Sequence, residues 1–157
     1  MKKGNFAVAQ SGGPTAAINA TLSGVIEYAL ENEYKIFGAV HGIRGVLENN
    51  FLELDKIFNS SENRHLLKNT PGAYLGSCRI KLPDPDTDTA PFKKIFEIFK
   101  KKDITKFIYI GGNDSMDTVD KLSKYAKKHD IDVSVIGAPK TIDNDLAGTD
   151  HTPGFGS

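Results

Sequence analysis

Residues 5–31, "NFAVAQSGGPTAAINATLSGVIEYALE", change their period part-way along. "NFAVAQ" is a short apolar run that ends in the turn "SGGPT". From Thr15 onward Ile18, Leu22, Val25, Ile26 and Ala29 recur at helical spacing. The stretch reads as strand, glycine turn, helix. The pattern returns further on: "KFIYI" (106–110) is a strand, and "GGNDS" leads into a helix whose inner face is Met116, Val119, Leu122 and Ala126. "KIFGAV" (35–40) and "DVSVIGAP" (132–139) add two more strands. Strands alternating with helices predict an α/β domain, a mainly parallel sheet with helices on both faces.

The segments between are less regular. "HGIRG" (41–45) reads as a glycine-punctuated loop, and "ELDKIF" (53–58) and "SSENRHLLKN" (60–69) as short helices. "TPGAYLGSCR" (70–79) reads as a turn and an extended segment, and "LPDPDTDTAP" (82–91) as a Pro/Asp loop. Pro91 suits a first helical turn, and Phe92, Ile95, Phe96 and Phe99 then form a core-facing stripe.

The chain has 157 residues, 39% of them apolar and 25% charged, an ordinary globular composition with length enough for one core. Twenty basic residues balance 20 acidic ones, so no net basic field gathers nucleic acid or anionic lipid. Any anion must be held by local geometry. No apolar run approaches the ~18 residues of a membrane span. The single cysteine, Cys78, excludes an internal disulfide and reads as a small buried side chain. Together these features predict a cytoplasmic protein. The four histidines show no metal-ligand spacing. The end, "HTPGFGS", stops after a Gly-rich turn of the kind that leads into another element, so residues 1–157 are expected to be the N-terminal part of a longer, two-domain protein.

In parallel sheets ligands collect at the carboxyl ends of strands, where three polar clusters fall. In "SGGPT", Gly12 and Gly13 let backbone approach an anion at a helix N-terminus, or simply make a tight turn. In "IGGNDSMD", Asn113, Asp114 and Ser115 are helix-capping residues, or Asn113 offers an oxygen to Mg²⁺. In "PKTIDND", Asp143 and Asp145 share a face if the segment is extended. There Lys140 and Thr141 can meet a phosphoryl group, unless the segment is a turn of Asx bonds. Arg79 either stabilises transferring charge or lies on the surface.

Taken in order, "SGGPTAAIN", "TPGAYLGSCR", "IGGNDSMDT", "PKTIDNDL" and "GTDHTPGFGS" resemble the phosphofructokinase family, in particular its pyrophosphate-dependent branch. The resemblance implies a donor-binding set of Gly12, Gly13, Arg79, Gly112, Asp114 and Ser115, and a substrate-binding set of Thr141, Ile142 and Asp143. It implies Asp143 as general base for the 1-hydroxyl of fructose 6-phosphate, with Lys140 and Arg79 stabilising charge on the transferring group. Asn113 and Asp145 would serve the metal, Mg²⁺, Asp145 through water. ATP-using relatives carry Gly where this chain has Asp114 and Lys140, and Asp where it has Asn113. A carboxylate at Asp114 would repel a nucleotide α-phosphate ~4 Å away by about 5- to 1000-fold in affinity, depending on the local dielectric. The implied reaction is phosphate transfer from pyrophosphate to fructose 6-phosphate, giving fructose 1,6-bisphosphate in glycolysis. The alternatives are an ATP-dependent 6-phosphofructokinase and a non-catalytic anion-binding or assembly fragment. The full-length form is expected to be a homo-oligomer, a dimer or tetramer, and residues 1–157 alone to be inactive.

Overall fold

The computed structural model describes residues 4–156. In chain order the elements are β1 (Asn5–Gln10), α1 (Ala16–Glu31), β2 (Ile36–Ala39), α2 (Gly42–Leu47), β3 (Phe51–Glu53), α3 (Leu54–Ile57), α4 (Ser61–Asn69), α5 (Ala90–Lys101), β4 (Ile104–Gly111), α6 (Asn113–Lys128) and β5 (Ser134–Pro139). They build one five-stranded sheet in the order β3-β2-β1-β4-β5. β2, β1, β4 and β5 run parallel, and β3 pairs antiparallel with β2. The expected α/β class and mainly parallel sheet are found.

β1 explains why both faces carry helices. Its side chains alternate. Phe6 and Val8 join Ile18, Leu22, Ile26 and Ala29 of α1, Leu54 and Phe58 at the two ends of α3 and Leu67 of α4 in one apolar cluster. Ala7 and Ala9 face the other way, into a cluster with Ile43 and Val46 of α2, the Phe92–Phe99 stripe of α5 and Leu122, Tyr125 and Ala126 of α6. A strand sealed on both sides reads as a continuous apolar run, as "FAVA" does.

Two segments differ from expectation. "HGIRG" is not a loop: it opens α2, with Ile43 and Val46 fully buried. Its glycines serve close approach, since a Cβ on Gly45 would overlap the Val40 carbonyl. The inner face of α6 is also rotated. Ser115, Thr118, Leu122, Tyr125 and Ala126 are buried, whereas Met116 and Val119 are only half-buried, packed toward β5 at its Gly137. Among the described residues, no helix is long and apolar enough to cross a membrane.

Candidate active site

Register sets the three polar clusters level. Gln10 of β1 pairs with Ile110 of β4, and Ile110 with Ala138 of β5. The next residues in each chain begin "SGGPT", "GGNDS" and "PKT". After β1 the chain crosses to β2 on one side, while β4 and β5 lie on the other. The crevice between β1 and β4 is therefore the point where strand order reverses, where open parallel sheets bind ligands. A cleft of about 690 Å³ opens there, lined by Gly12, Gly13, Arg79, Asn113, Asp114, Lys140, Thr141 and Asp143, with Gly112, Ser115, Ile142 and Asp145 also on its walls. Every site residue expected from the sequence lines this one cleft.

The turn after β1 gives the cleft its floor. Gly12 has a φ of +83°, a conformation that favours glycine, and the backbone then enters α1. Neither α1 nor α6 is capped by a side chain: Thr15 and Gly112 stand at their N-cap positions without one. Asn113, Asp114 and Ser115 therefore lie inside α6 rather than capping it, so the capping alternative does not account for these residues. The Ile18 and Ser115 N–H groups turn back onto the Thr15 and Gly112 carbonyls, which leaves the first two N–H groups of each helix to an anion.

Lys140 is the buried cation of the site, only 2% exposed. Its ammonium donates to the Gly13 carbonyl, so it bridges the β5 loop to the first glycine turn. Burial pushes its pKa below the usual lysine range, and the nearby Asp143 carboxylate pulls the other way.

Asp145 ties the same loop to the second turn. Its carboxylate accepts from the Asn113 amide at 2.6 Å and from the Thr141 hydroxyl at 3.0 Å. Thr141 Oγ1 in turn accepts from the Asp143 N–H at 3.1 Å. Asp143 and Asp145 do not share a face of an extended segment: the chain bends here, and Asn144 is left-handed with φ +51°. Asn144 Oδ1 accepts from the Thr152 N–H at 2.8 Å, and the Thr152 hydroxyl donates to the Thr141 carbonyl at 3.1 Å. "GTDHTPGFG" folds back to fix "KTIDND", leaving Asp143 exposed toward the cleft. Among the described residues no group of three or more His, Cys, Asp or Glu side chains could hold a metal unaided.

Three positioning residues escaped the sequence reading. Gln10, fully buried, donates to Ile18 O and Asn19 Oδ1, both at 3.1 Å, and accepts from the Leu75 N–H at 2.8 Å. Asn19 donates to Thr70 O at 2.9 Å and accepts from the Tyr74 N–H at 2.9 Å. Ser11 donates to the Cys78 carbonyl at 2.9 Å. These bonds lay residues 70–79 across the cleft wall and deliver Arg79, itself exposed, to it. The available signal was a polar residue on an otherwise apolar stripe, Asn19 beside Ile18 and Leu22. Under Ser11, burial pushes the Tyr109 phenol up to about 12, with the Ser11 hydroxyl working against the shift. Tyr109 therefore lines the cleft as a neutral group.

A buried cation, three carboxylates and two helix N-termini around one cleft suit phosphoryl chemistry, and comparison with known proteins agrees on the class. The profile of the family described as Phosphofructokinase matches residues 5–157, and the chain belongs to that family. It is 45% identical over 157 residues to the pyrophosphate–fructose 6-phosphate 1-phosphotransferase of Xanthomonas campestris pv. campestris (strain B100), covering 100% of this chain and 37% of that protein. The enzyme of the same name from Rhodospirillum rubrum is 44% identical over 159 residues, covering 100% of this chain and 38% of its own. The crystal structure of the pyrophosphate-dependent phosphofructokinase from Nitrosospira multiformis superposes with a TM-score of 0.88 at 38% identity, over 99% of this chain and 38% of that one. The chain thus spans a little over a third of the length of these relatives.

Proposed function

We propose that residues 1–157 are the phosphoryl-donor-binding part of a longer, two-domain enzyme that transfers phosphate from pyrophosphate to the 1-hydroxyl of fructose 6-phosphate. The observation that carries this reading is the pairing of Asp114 and Lys140 in one cleft. Asp114 places a carboxylate at the N-terminus of α6, where a longer nucleotide phosphate chain would continue. Lys140 places a cation beside Gly13, where a short anion would end. The relatives named for pyrophosphate support the same donor.

In this reading Asp143 accepts the proton of the sugar's 1-hydroxyl. The freed oxygen bonds to the terminal phosphorus of pyrophosphate, the bridging P–O bond breaks, and orthophosphate leaves. Lys140 and Arg79 offset the charge that spreads over the transferring oxygens, the main catalytic lever in phosphoryl transfer. Gly12, Gly13, Gly112 and Ser115 hold the donor, and Thr141 and Ile142 border the sugar. Mg²⁺ fits the donor set: the Asn113 amide oxygen would be a hard ligand, and the Asp145 carboxylate, which accepts from Asn113 and Thr141, would serve the ion through water. That leaves positions for pyrophosphate oxygens and water. When bound, the ion would neutralise donor charge. The complete enzyme is read as a cytoplasmic homo-oligomer.

The test is a donor comparison with the complete enzyme. Fructose 1,6-bisphosphate should form far faster with Mg-pyrophosphate than with Mg-ATP. Equal kcat/KM for the two donors sinks the reading.

A further inference from the structure

Arg79 sits on a strap without regular structure, residues 70–89. The Ser11 hydroxyl holds the strap at the Cys78 carbonyl, just before Arg79. Just after it, the ammonium of Lys121 donates to the Leu82 carbonyl at 2.9 Å. Lys121 lies on α6, two turns beyond Asp114 and outside the cleft. It is aimed by Asp117, one turn back, whose carboxylate lies 2.7 Å from the ammonium. Its side chain is largely shielded, at 22% exposure, and Leu82 beneath it is packed into the core at 3%.

Two outer contacts follow the same face of α6. Lys81 meets Asp114 at 2.9 Å, and Asp86 meets Lys128 at 2.6 Å. Positions 114, 121 and 128 are seven apart, so all three contacts lie on one stripe of the helix. The outer two are exposed pairs, which salt screens and which contribute little. The middle one is a charge-assisted bond to a backbone carbonyl from a shielded lysine, the stronger kind.

We infer that Lys121 is a positioning residue for phosphoryl transfer: it pins the strap at Leu82 and thereby holds Arg79 against the donor. The inference rests on the donor site proposed above. A guanidinium on a strap fixed at both ends is already ordered when substrate arrives, and orientation of this kind is worth large factors in rate.

The experiment is a double-mutant cycle in the complete enzyme. Lys121→Met should lower kcat/KM for Mg-pyrophosphate by about 10- to 100-fold. Lys121→Arg, which keeps a charged donor, should restore most of it. Lys124→Met, whose lysine forms its ion pair with Asp120 on its own helix and senses Asp84 of the strap at longer range, should change kcat/KM by less than about twofold. In an Arg79→Ala background Lys121→Met should cost less than roughly twofold more, because the two act as one unit. Limited trypsin digestion read by mass spectrometry gives a measure independent of turnover: cleavage after Arg79 or Lys81 should quicken in Lys121→Met. If that variant does not fold, Lys121→Gln, too short to reach Leu82, takes its place in both assays. Additive losses, no rescue by arginine or unchanged cleavage would overturn the inference. A crippled Arg79→Ala beside an unaffected Lys121→Met overturns the strap alone. An Arg79→Ala enzyme with full turnover overturns the donor-site reading and the strap with it.

Discussion

Gly12–Gly13, one residue beyond β1, and Gly111–Gly112, where β4 ends, are the same pair of letters at neighbouring strand ends, yet different physics requires each. Gly12 is needed for conformation: its φ is +83°, but a Cβ there would meet nothing nearer than Gly112 N at 3.6 Å. Gly111 is needed for space. A Cβ there would overlap the Ser115 hydroxyl and come within 3.1 Å of the Ser11 carbonyl. The first turn stays open and carries no acidic residue, as suits an anion. The second is packed shut against Ser115 and carries Asp114 in its first helical turn. In the proposed donor site the first turn receives the anion, and Asp114 of the second limits what can be received. The "KTIDND" loop touches both, through Lys140 to Gly13 and Asp145 to Asn113.

The largest expected effect lies between the two turns, at Asp143. Asp143→Asn keeps the shape and removes the proton acceptor. It should lower kcat by about 10²–10⁴-fold, the usual worth of general base catalysis, and leave pyrophosphate binding nearly intact. A single-turnover assay beside a calorimetric titration with Mg-pyrophosphate separates the two. Near-parental kcat would mean that the aspartate serves only the turn.

Lys140→Met comes next and tests the receiving turn. Losing a preorganised charge beside the transferring group should cost about 10²–10³-fold in kcat/KM. It also has a signature in stability. Burial holds the Lys140 pKa below the ordinary value of 10.5. Between the lowered value and the ordinary one the unfolded chain binds more protons than the folded chain, so stability gains with rising pH across that window. Lys140→Met should lack that gain. Urea melts of both proteins through the alkaline range check the sign.

These assignments also show what the sequence made legible. The strand–turn–helix units were readable because turn chemistry is local: glycines, then a change of period from apolar run to helical stripe. The shared cleft was inferable because a parallel sheet aligns strand ends, and the Gln10–Ile110–Ala138 register does so here. What depends on distant contacts was not readable. β3 is only three residues, "FLE", and exists because β2 offers it an edge. α2 looked like a loop because its glycines, selected for contact with Val40 and Cys78, resemble flexibility in one dimension. The bend separating Asp143 from Asp145 is fixed by Thr152, eight residues beyond Asn144. Gln10 and Asn19 matter through residues 70–75, more than 50 positions away.

The glycines themselves offer a test in stability. Gly111→Ala should cost about 1–3 kcal/mol by overpacking, and Gly12→Ala about 1–2 kcal/mol by left-handed strain. Asparagine distinguishes the causes. It tolerates positive φ, so Gly12→Asn should cost less than Gly12→Ala, whereas Gly111→Asn should cost more than Gly111→Ala. Chemical denaturation of the four variants decides it. The same rank order at both positions would abolish the distinction between conformation and space.

The smallest effect belongs to the limiting turn. In the proposed donor site Asp114 discriminates against a nucleotide by like charge, and its reach depends on what else it touches. In the structure Lys81 stands 2.9 Å from its carboxylate, and both side chains are exposed. That countercharge, and screening over a Debye length of about 8 Å at physiological salt, push the repulsion to the low end of its range. Asp114→Gly should therefore raise kcat/KM for ATP by only roughly 5- to 10-fold, and the gain should shrink as salt is added. Lys81→Met, which leaves the carboxylate unneutralised, should move ATP the other way. Donor-switch assays at low and high ionic strength follow both. A salt-independent gain above about 100-fold would show that Asp114 excludes ATP by occupying space rather than by its charge, and the second turn would then limit the donor by shape alone.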